Sequence, residues 1–187
     1  MARGPGQEIP RIETPRLLLR EWRDEDLAAY AEINADPEVR RYMHPARPLT
    51  EAESALEVDS VLDQWQQLGF GHWAVELRET GELIGRTGMK RHPDWEPDPQ
   101  NTEVGWLYAR SAWGQGLATE GAIESVRFCL EEVGSREVIS IAHMENLASH
   151  RVMKKAGLSW AGARRWYERG IDVVWYHSRR IADKTGD

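Results

Sequence analysis

The sequence predicts an α+β fold, an α/β sandwich in which helices flank a mixed central β-sheet. Apolar residues recur at helical spacing in four stretches, and seven shorter stretches alternate or run continuously as strands do. The elements follow the order β-α-α-β-β-β-α-β-α-β-β, and the last two β-α units predict parallel pairing. A length of 187 residues with 41% apolar content suits a single domain.

Capping and turn residues set the boundaries of these elements. We expect Asp24 to cap the first helix and Thr50 to cap the second, which ends at Gly69. Residues 80–81 predict a tight turn, and three prolines between residues 92 and 101 predict a loop. The predicted elements are strand 16–22, helices 25–35 and 51–68, strands 72–78, 82–91 and 102–109, a helix opened by Gly114, strand 138–142, helix 146–156 and hairpin 158–180.

Composition and charge exclude several classes of partner. The net charge of −7 argues against nucleic acid, whose binding depends on Lys and Arg meeting phosphates. No run of 18 apolar residues occurs and the first ten residues hold no apolar signal segment, so we expect a cytoplasmic protein without a membrane partner. Cys129 is the one cysteine, which excludes an intrachain disulfide and a cysteine-based zinc site, and we expect no metal. Residues 1–10 are expected to be a flexible segment, 11–180 the domain and 181–187 a tail.

A glycine-rich loop lies between a predicted strand and a predicted helix, where residues 113–120 have the sequence WGQGLATE. Glycines let the backbone approach a ligand, and the free N–H groups at a helix start attract anions such as a pyrophosphate. No Gly-Lys-Ser/Thr follows, which excludes a P-loop, and Thr119 stands where a dinucleotide fingerprint needs a small residue. The loop therefore indicates either another kind of anion site or an ordinary glycine-rich turn.

Four separated segments carry a resemblance to a known family. They are residues 12–20 (IETPRLLLR), 102–106 (TEVGW), 113–120 and a helix with NLAS at 146–149 and KKAGL at 154–158. In this order they resemble the GNAT superfamily of N-acetyltransferases, specifically its ribosomal-protein N-acetyltransferase-like (RimJ/RimL-type) branch. The resemblance covers roughly residues 11–180. It implies a sheet that splays between the fourth and fifth predicted strands, acetyl-CoA as co-substrate, and transfer of the acetyl group to a primary amine in a ternary complex.

The same resemblance implies where coenzyme A binds. Its pantetheine arm is expected between the splayed strands, against the backbone of Leu107, Tyr108 and Ala109, where an N–H group can also stabilise the thioester oxyanion. Asn146 is expected to bond the pantetheine while it caps its helix, and the pyrophosphate is expected at the glycine loop. The loop residues assigned to the cofactor are Trp113, Gly114, Gln115, Gly116, Leu117, Ala118 and Thr119.

Acetyl transfer to an amine requires a base. An alkyl ammonium with a pKa near 10.4 must first lose a proton, which costs about 4.6 kcal/mol at pH 7. Glu103 is the leading candidate, directly or through a water, because it begins the fourth strand, where related enzymes often carry an acid. His143, at the end of the fifth strand, is the alternative base. Ser149, in the first turn of the next helix, is the candidate that protonates the leaving thiolate. Each of the three also has a purely structural interpretation.

The acetyl acceptor and the assembly state are less constrained by the sequence. Trp65 and Trp95 are expected to contact the acceptor, because the second helix and the proline-rich loop border the acceptor side in the family. The acceptor is either a protein N-terminus or a small amine such as a polyamine, an amino acid or an antibiotic. A non-catalytic acyl-CoA sensor is the alternative from another functional class. The Trp-rich C-terminal hairpin is a candidate homodimer surface.

Overall fold

The structure of the protein, a computed structural model, describes residues 5–179. Within this range no helix is both long enough and apolar enough to cross a membrane. The strands are β1 (Ile12–Glu13), β2 (Leu17–Arg20), β3 (His72–Leu77), β4 (Glu82–Lys90), β5 (Glu103–Tyr108), β6 (Glu137–His143), β7 (Ser159–Trp166) and β8 (Ile171–Arg179). The α-helices are α1 (Asp26–Ala35), α2 (Pro37–Arg40), α3 (Glu51–Leu68), α4 (Leu117–Glu131) and α5 (Leu147–Lys155).

All of these strands join one sheet, in the order β1-β2-β3-β4-β5-β6-β8-β7. Neighbouring strands pair antiparallel except β5 and β6, which are parallel and share a single register pair, Glu103 with Ile139. Beyond that pair β5 leaves β6, while its pairing with β4 continues to Tyr108. The structure confirms the predicted mixed sheet flanked by helices and the splay within it.

The two faces of the sheet carry different helices, because successive residues of a strand point to opposite sides. On β4, Arg86 points towards α1 and bonds the Tyr30 hydroxyl, whereas Thr87 points towards α4 and bonds the Ser125 hydroxyl. The splayed strands are therefore approached by α4 on one face and by α1 on the other. Cys129 of α4 is buried, and its burial raises the pKa of the thiol to about 11, so it packs as a small apolar residue.

Helices α1 and α3 show where predictions from capping residues hold and where they fail. Thr50 caps α3 in a reciprocal capping box with Glu53, as predicted. The predicted cap of α1 by Asp24 is wrong, because the helix begins at Asp26 and its N-cap residue, Glu25, makes no capping bond. Asp26 itself is buried and pairs with Arg20 at 2.7 Å, so tertiary packing fixes this helix start.

The ends of the domain and its edge strands also differ from expectation. Within residues 5–10, which are expected to belong to a flexible segment, residues 5–8 are exposed, whereas Ile9 is in the core and the Gly6 amide donates to the Gln66 carbonyl. The predicted tail at 181–187 lies outside the described residues. β7 pairs with β8 and not with β6, so the parallel pairing expected of the last β-α unit is wrong and only β5 and β6 are parallel within residues 5–179. The short β1 and α2 were not predicted.

We expect Gly121→Ala to destabilise the fold by about 1–3 kcal/mol, although alanine favours a helix. A Cβ at Gly121 would overlap the buried Tyr108 hydroxyl and lie 3.1 Å from the Thr87 methyl group. The hydroxyl has no hydrogen-bond partner among the described residues, so Tyr108→Phe should cost little and should restore stability in the double variant. Urea unfolding of the four proteins measures the coupling. If Gly121→Ala costs the same stability with and without Tyr108→Phe, this contact is disproved.

Candidate active site

A cavity of about 770 Å³ opens where β5 and β6 part, with the N-terminal ends of α4 and α5 in its wall. It brings together most of the residues assigned from the sequence. These are Glu103, Leu107, Tyr108, Trp113, Gly114, Gly116, Ala118, Thr119, His143, Asn146 and Ser149. Ala109, Gln115 and Leu117 do not line it: the Gln115 side chain bonds the Ser111 carbonyl, and the Leu117 side chain is buried in the core.

Every second residue of β5 directs its backbone N–H and C=O groups to this cavity and not to β4. The Ala109 amide donates to the Ile84 carbonyl on the β4 side, at 2.9 Å. Because bonding direction alternates along a strand, Leu107 also turns its backbone to β4, whereas Trp106 and Tyr108 turn theirs to the gap. The backbone groups of Leu107 and Ala109 therefore do not face the gap, contrary to expectation, and those of Trp106, which was not assigned, face it beside those of Tyr108.

The glycine loop forms a turn before α4, so the helix start predicted at Gly114 is wrong. Gly114 and Gly116 have φ values of 75° and 81°, in the left-handed region that favours glycine, and α4 begins at Leu117. A Cβ at Gly114 would meet no atom within 4 Å. Glycine is needed at these two positions for its positive φ, not for lack of space. The turn that results places the start of α4, with its free amides, in the cavity wall.

Two side chains hold this loop in place. The Trp113 indole donates to the Tyr108 carbonyl at 2.9 Å, and the Arg16 guanidinium donates to the Gln115 carbonyl at 2.9 Å. Arg16 also bonds Glu120, in the first turn of α4. The loop is therefore attached both to β5 and to the residues before β2.

Glu103 lies under the cavity with its carboxylate largely free. The residue is buried, with one oxygen 3.5 Å from His92 Nε2 and the other 3.4 Å from the Ile141 amide. The carboxylate folds over Gly105, where a Cβ would lie 3.0 Å from it. A carboxylate with two long contacts, aimed into a cavity, retains lone pairs that can accept a proton.

His92, a residue missed in the sequence, supports Glu103. Arg169 Nη2 lies 2.9 Å from His92 Nδ1, and since arginine only donates, Nδ1 must accept. Nε2 then carries the hydrogen and faces Glu103. Arg169 is itself paired with Asp94, its Nε 3.0 Å from the carboxylate. The arrangement orients the Nε2–H group of His92 as a donor towards the candidate base.

His143, the alternative base, is placed differently. Its Nδ1 accepts a hydrogen bond from the Glu145 amide at 3.2 Å, so in the neutral ring the hydrogen is on Nε2. The nitrogen turned away from that bond is a donor and cannot take up a proton. The geometry favours Glu103 over His143 for proton removal.

The two α5 residues are held at the helix start. Asn146 caps α5, as predicted, with its side-chain oxygen accepting from the Ser149 amide at 3.1 Å. Both residues line the cavity, and Ser149 is half-buried. The cap bond uses the Asn146 oxygen, which leaves its NH₂ group for other partners.

The prediction that two tryptophans contact the acceptor is wrong, and three basic residues of the cavity wall were not predicted. Trp65 and Trp95, expected to contact the acceptor, are 1% and 2% exposed and outside the cavity wall, because each packs within its own aromatic cluster. Arg86, His92 and Arg169 line the cavity instead. They come from β4, a loop and the β7–β8 connection, and no spacing in the sequence relates them.

A family model for the acetyltransferase (GNAT) domain matches residues 16–159. The chain belongs to this GNAT acetyltransferase family. It is 36% identical over 157 residues to an FsC-acetyl coenzyme A-N(2)-transacetylase of Aspergillus fumigatus. That alignment covers 80% of the chain but 65% of the relative, so the chain spans less than two thirds of that protein's length. An uncharacterized N-acetyltransferase of Bacillus subtilis, YoaA, is 28% identical, with 85% of the chain and 88% of the relative aligned.

Solved GNAT structures share the fold. An acetyltransferase from Agrobacterium tumefaciens superposes with a TM-score of 0.79 at 25% identity, over 93% of this chain and 96% of that one. RimL, a ribosomal L7/L12 alpha-N-protein acetyltransferase in complex with coenzyme A, gives 0.74 over 91% and 98% of the two chains, and its 15% identity shows the fold alone. The GNAT domain described here is an acetyl-CoA-dependent N-acetyltransferase, with acetyl-CoA as co-substrate.

We expect Gly116→Asp to weaken acetyl-CoA binding more than tenfold, because a carboxylate at the start of α4 repels phosphates. Gly81→Asp is the matched control, since Gly81 has a φ of 75°, like the 81° of Gly116, and lies in the β3–β4 turn. Calorimetry with acetyl-CoA measures the difference. Equal affinities of the two variants would remove the pyrophosphate from this loop.

Proposed function

We propose that this domain transfers the acetyl group of acetyl-CoA to a primary amine by direct attack within a ternary complex. The observation that carries the proposal is one cavity in which the parted β5 edge, the start of α4 and the Glu103 carboxylate meet. The first two features suit a cofactor with a pyrophosphate and an extended amide arm, and the third suits removal of a proton from the acceptor.

In this proposal the pantetheine arm lies along the β5 edge and pairs with the backbone of Trp106 and Tyr108. The pyrophosphate binds the amides of residues 114–119, and the Asn146 NH₂ group bonds the arm from the α5 side. A gap-facing N–H of β5 then points at the thioester carbonyl and stabilises its oxyanion. The extended pantetheine arm forms the hydrogen bonds with the β5 edge that a fully paired β6 would otherwise form.

The chemistry assigned to the side chains begins with the proton of the ammonium group. Glu103 accepts it, directly or through one water, and the amine nitrogen then attacks the thioester carbon. The nitrogen of the tetrahedral intermediate gives up its second proton, and the intermediate collapses with breakage of the C–S bond; that proton balances the one taken up by the departing thiolate. Ser149 is assigned to protonate the thiolate, although a thiol with a pKa near 8.5 leaves with little help.

Two classes of acceptor follow from different observations. The sequence resemblance to the RimJ/RimL-type branch favours a protein N-terminus, and the fold shared with RimL is compatible with that choice. A small-molecule amine is the second candidate, since the Aspergillus fumigatus relative, which is more similar in sequence than RimL, is named as an N(2)-transacetylase and not as a protein acetyltransferase. The homodimer stays a prediction; on the C-terminal hairpin Trp160 is 59% exposed, whereas Trp166 is buried.

Replacing the proposed base tests the mechanism. Glu103→Gln keeps the shape of the side chain but removes its basicity, so kcat should fall about 10²- to 10⁴-fold while acetyl-CoA affinity stays nearly constant. The variant's rate should keep rising with pH towards the pKa of the amine, where the acceptor deprotonates without help.

Glu124→Gln, on the surface of α4, is the control for the loss of one carboxylate. The role of Glu103 is tested by steady-state rates from pH 6 to 10. Single-turnover measurements isolate the chemical step. A Glu103→Gln protein with full kcat and an unchanged pH profile would assign the proton to another group.

Catalysis itself is tested by release of free coenzyme A thiol from acetyl-CoA with a panel of N-terminal peptides and small amines. We expect release that depends on a primary amine and disappears when that amine is already acetylated, with the acetylated product confirmed by mass. Thiol release at the same slow rate with and without every amine would favour the acyl-CoA sensor.

A further inference from the structure

The β4 residue Arg86 lies in the cavity wall with part of its guanidinium group already bound. Its Nε donates to the Tyr30 hydroxyl at 2.8 Å, and its Nη1 lies 3.2 and 3.1 Å from the two ring nitrogens of His72. Nη2 makes no hydrogen bond to any residue between 5 and 179. The edge formed by Nη1 and Nη2 is the part of the fork that matches the two oxygens of a carboxylate.

Neither partner of Arg86 neutralises its charge. Burial, together with the charge of Arg86, holds the pKa of His72 well below its usual range, so this histidine is neutral. Burial raises the pKa of Tyr30, so its hydroxyl stays protonated. Within the described part of the chain no carboxylate lies within ion-pair distance of Arg86. Glu57 and Glu103 stabilise the charge of Arg86 from beyond ion-pair distance, so the Nη1–Nη2 edge has no anion in direct contact.

Neither Glu57 nor Glu103, the two acidic side chains of this wall nearest Arg86, contacts its guanidinium group directly. Glu57 accepts from the Tyr30 hydroxyl at 2.9 Å and pairs with the buried Arg40 at 3.1 Å. Glu103 lies at the opposite end of this stretch of sheet, because its register partner on β4 is Lys90, four residues beyond Arg86. Side chains at alternate positions share a face, so Arg86, Lys90 and Glu103 all project to the same side.

The cavity therefore separates charge. On this face of the sheet Arg86 and Lys90 lie on one strand and Glu103 on the next, while Glu57 acts on both Arg40 and Arg86 and Asp94 pairs with Arg169. A ligand that complements this face carries an amine directed to Glu103 and an anionic group directed to Arg86. At about 3.3 Å per residue, Arg86 and Lys90 are roughly 13 Å apart at their Cα atoms, a span that their long side chains shorten.

We propose that Arg86 binds a carboxylate of the acetyl acceptor, so that the acceptor is a small amine bearing a carboxylate and not an unsubstituted alkylamine. This rests on the proposed transfer to an amine and narrows its substrate class. A carboxylate is favoured over a phosphate because one planar edge of the guanidinium is open, and that edge takes two coplanar oxygens.

The test compares each amino acid with its own neutral amide. Thiol release from acetyl-CoA is measured with glycine, L-leucine, β-alanine and γ-aminobutyrate, each beside its amide, and with O-phosphoethanolamine. A charge-assisted bidentate contact predicts a kcat/KM about 10- to 100-fold higher for at least one carboxylate than for its amide. Carboxylates that are no better than their amides, or a preference for O-phosphoethanolamine, would overturn the proposal.

Variants tie any preference to Arg86. Arg86→Gln should bring the ratio of carboxylate to amide close to one, mainly through KM, and Arg86→Lys should restore part of it. Arg127→Gln, an arginine on α4 outside the cavity wall, is the matched control and should keep the full ratio. Acetyl-CoA affinity and urea unfolding show that each protein is folded. A ratio unchanged in Arg86→Gln would place the carboxylate elsewhere.

A direct binding measurement separates this proposal from the proposed function. Butyrate and γ-aminobutyrate are titrated by calorimetry into the protein saturated with coenzyme A. Binding that Arg86→Gln abolishes would support the carboxylate site even if no amine of the panel is acetylated, a result that would count against transfer alone. Absence of binding to the unsubstituted protein would overturn the carboxylate site and leave amine transfer standing.

Discussion

The parting of β5 from β6 is the constraint on which the rest of the site depends. A parallel pair that stops after Glu103 and Ile139 leaves the facing backbone groups of both strands in need of partners, because unpaired polar groups away from water are costly. The Trp113 indole satisfies the Tyr108 carbonyl, and the remaining groups of Trp106 and Tyr108 face the cavity. The same gap admits the Glu103 carboxylate. A ligand with its own amides completes the edge without competing with any strand, so the space that breaks the sheet also selects the kind of molecule that fills it.

The position of α4 relative to this gap depends on a polar anchor. Glu120, in its first turn, accepts from the Thr14 hydroxyl at 2.6 Å and from the Arg16 backbone and side chain at 2.8 and 2.7 Å. Burial alone would raise the pKa of Glu120, but these bonds outweigh it and hold the pKa below its usual range, so the carboxylate stays ionised at neutral pH. An acidic residue beside the amides of a helix start would compete with an anionic ligand. Here its charge is taken up on the β2 side by Arg16, and the amides facing the cavity remain free for a ligand.

The sequence predicted the features that depend on a few neighbouring residues, such as helix caps and turns. The capping box at Thr50, the cap at Asn146 and the glycine turn before α4 each depend on a few neighbouring residues, and the resemblance of four segments extended them to the sheet and its splay. Direction and partner choice were not predictable in the same way. Which β5 amides face the gap is set by the register with β4, and a one-residue change inverts it. The charged wall was missed because Arg86 and its neighbours converge only in the folded chain. Trp95 was misjudged because the position of a loop does not reveal which way its side chains turn.

The hydrogen bonds around the two candidate bases bear on a choice that residue type alone leaves open. A histidine is the commoner general base, yet both histidines nearest the reacting space are fixed as donors: the Arg169 guanidinium occupies the lone pair of His92, and the Glu145 amide occupies that of His143. Each neutral ring therefore carries its hydrogen on Nε2, which suits donating a hydrogen bond and not removing a proton. Glu103, whose own contacts are long, is left with the lone pairs that the reaction needs.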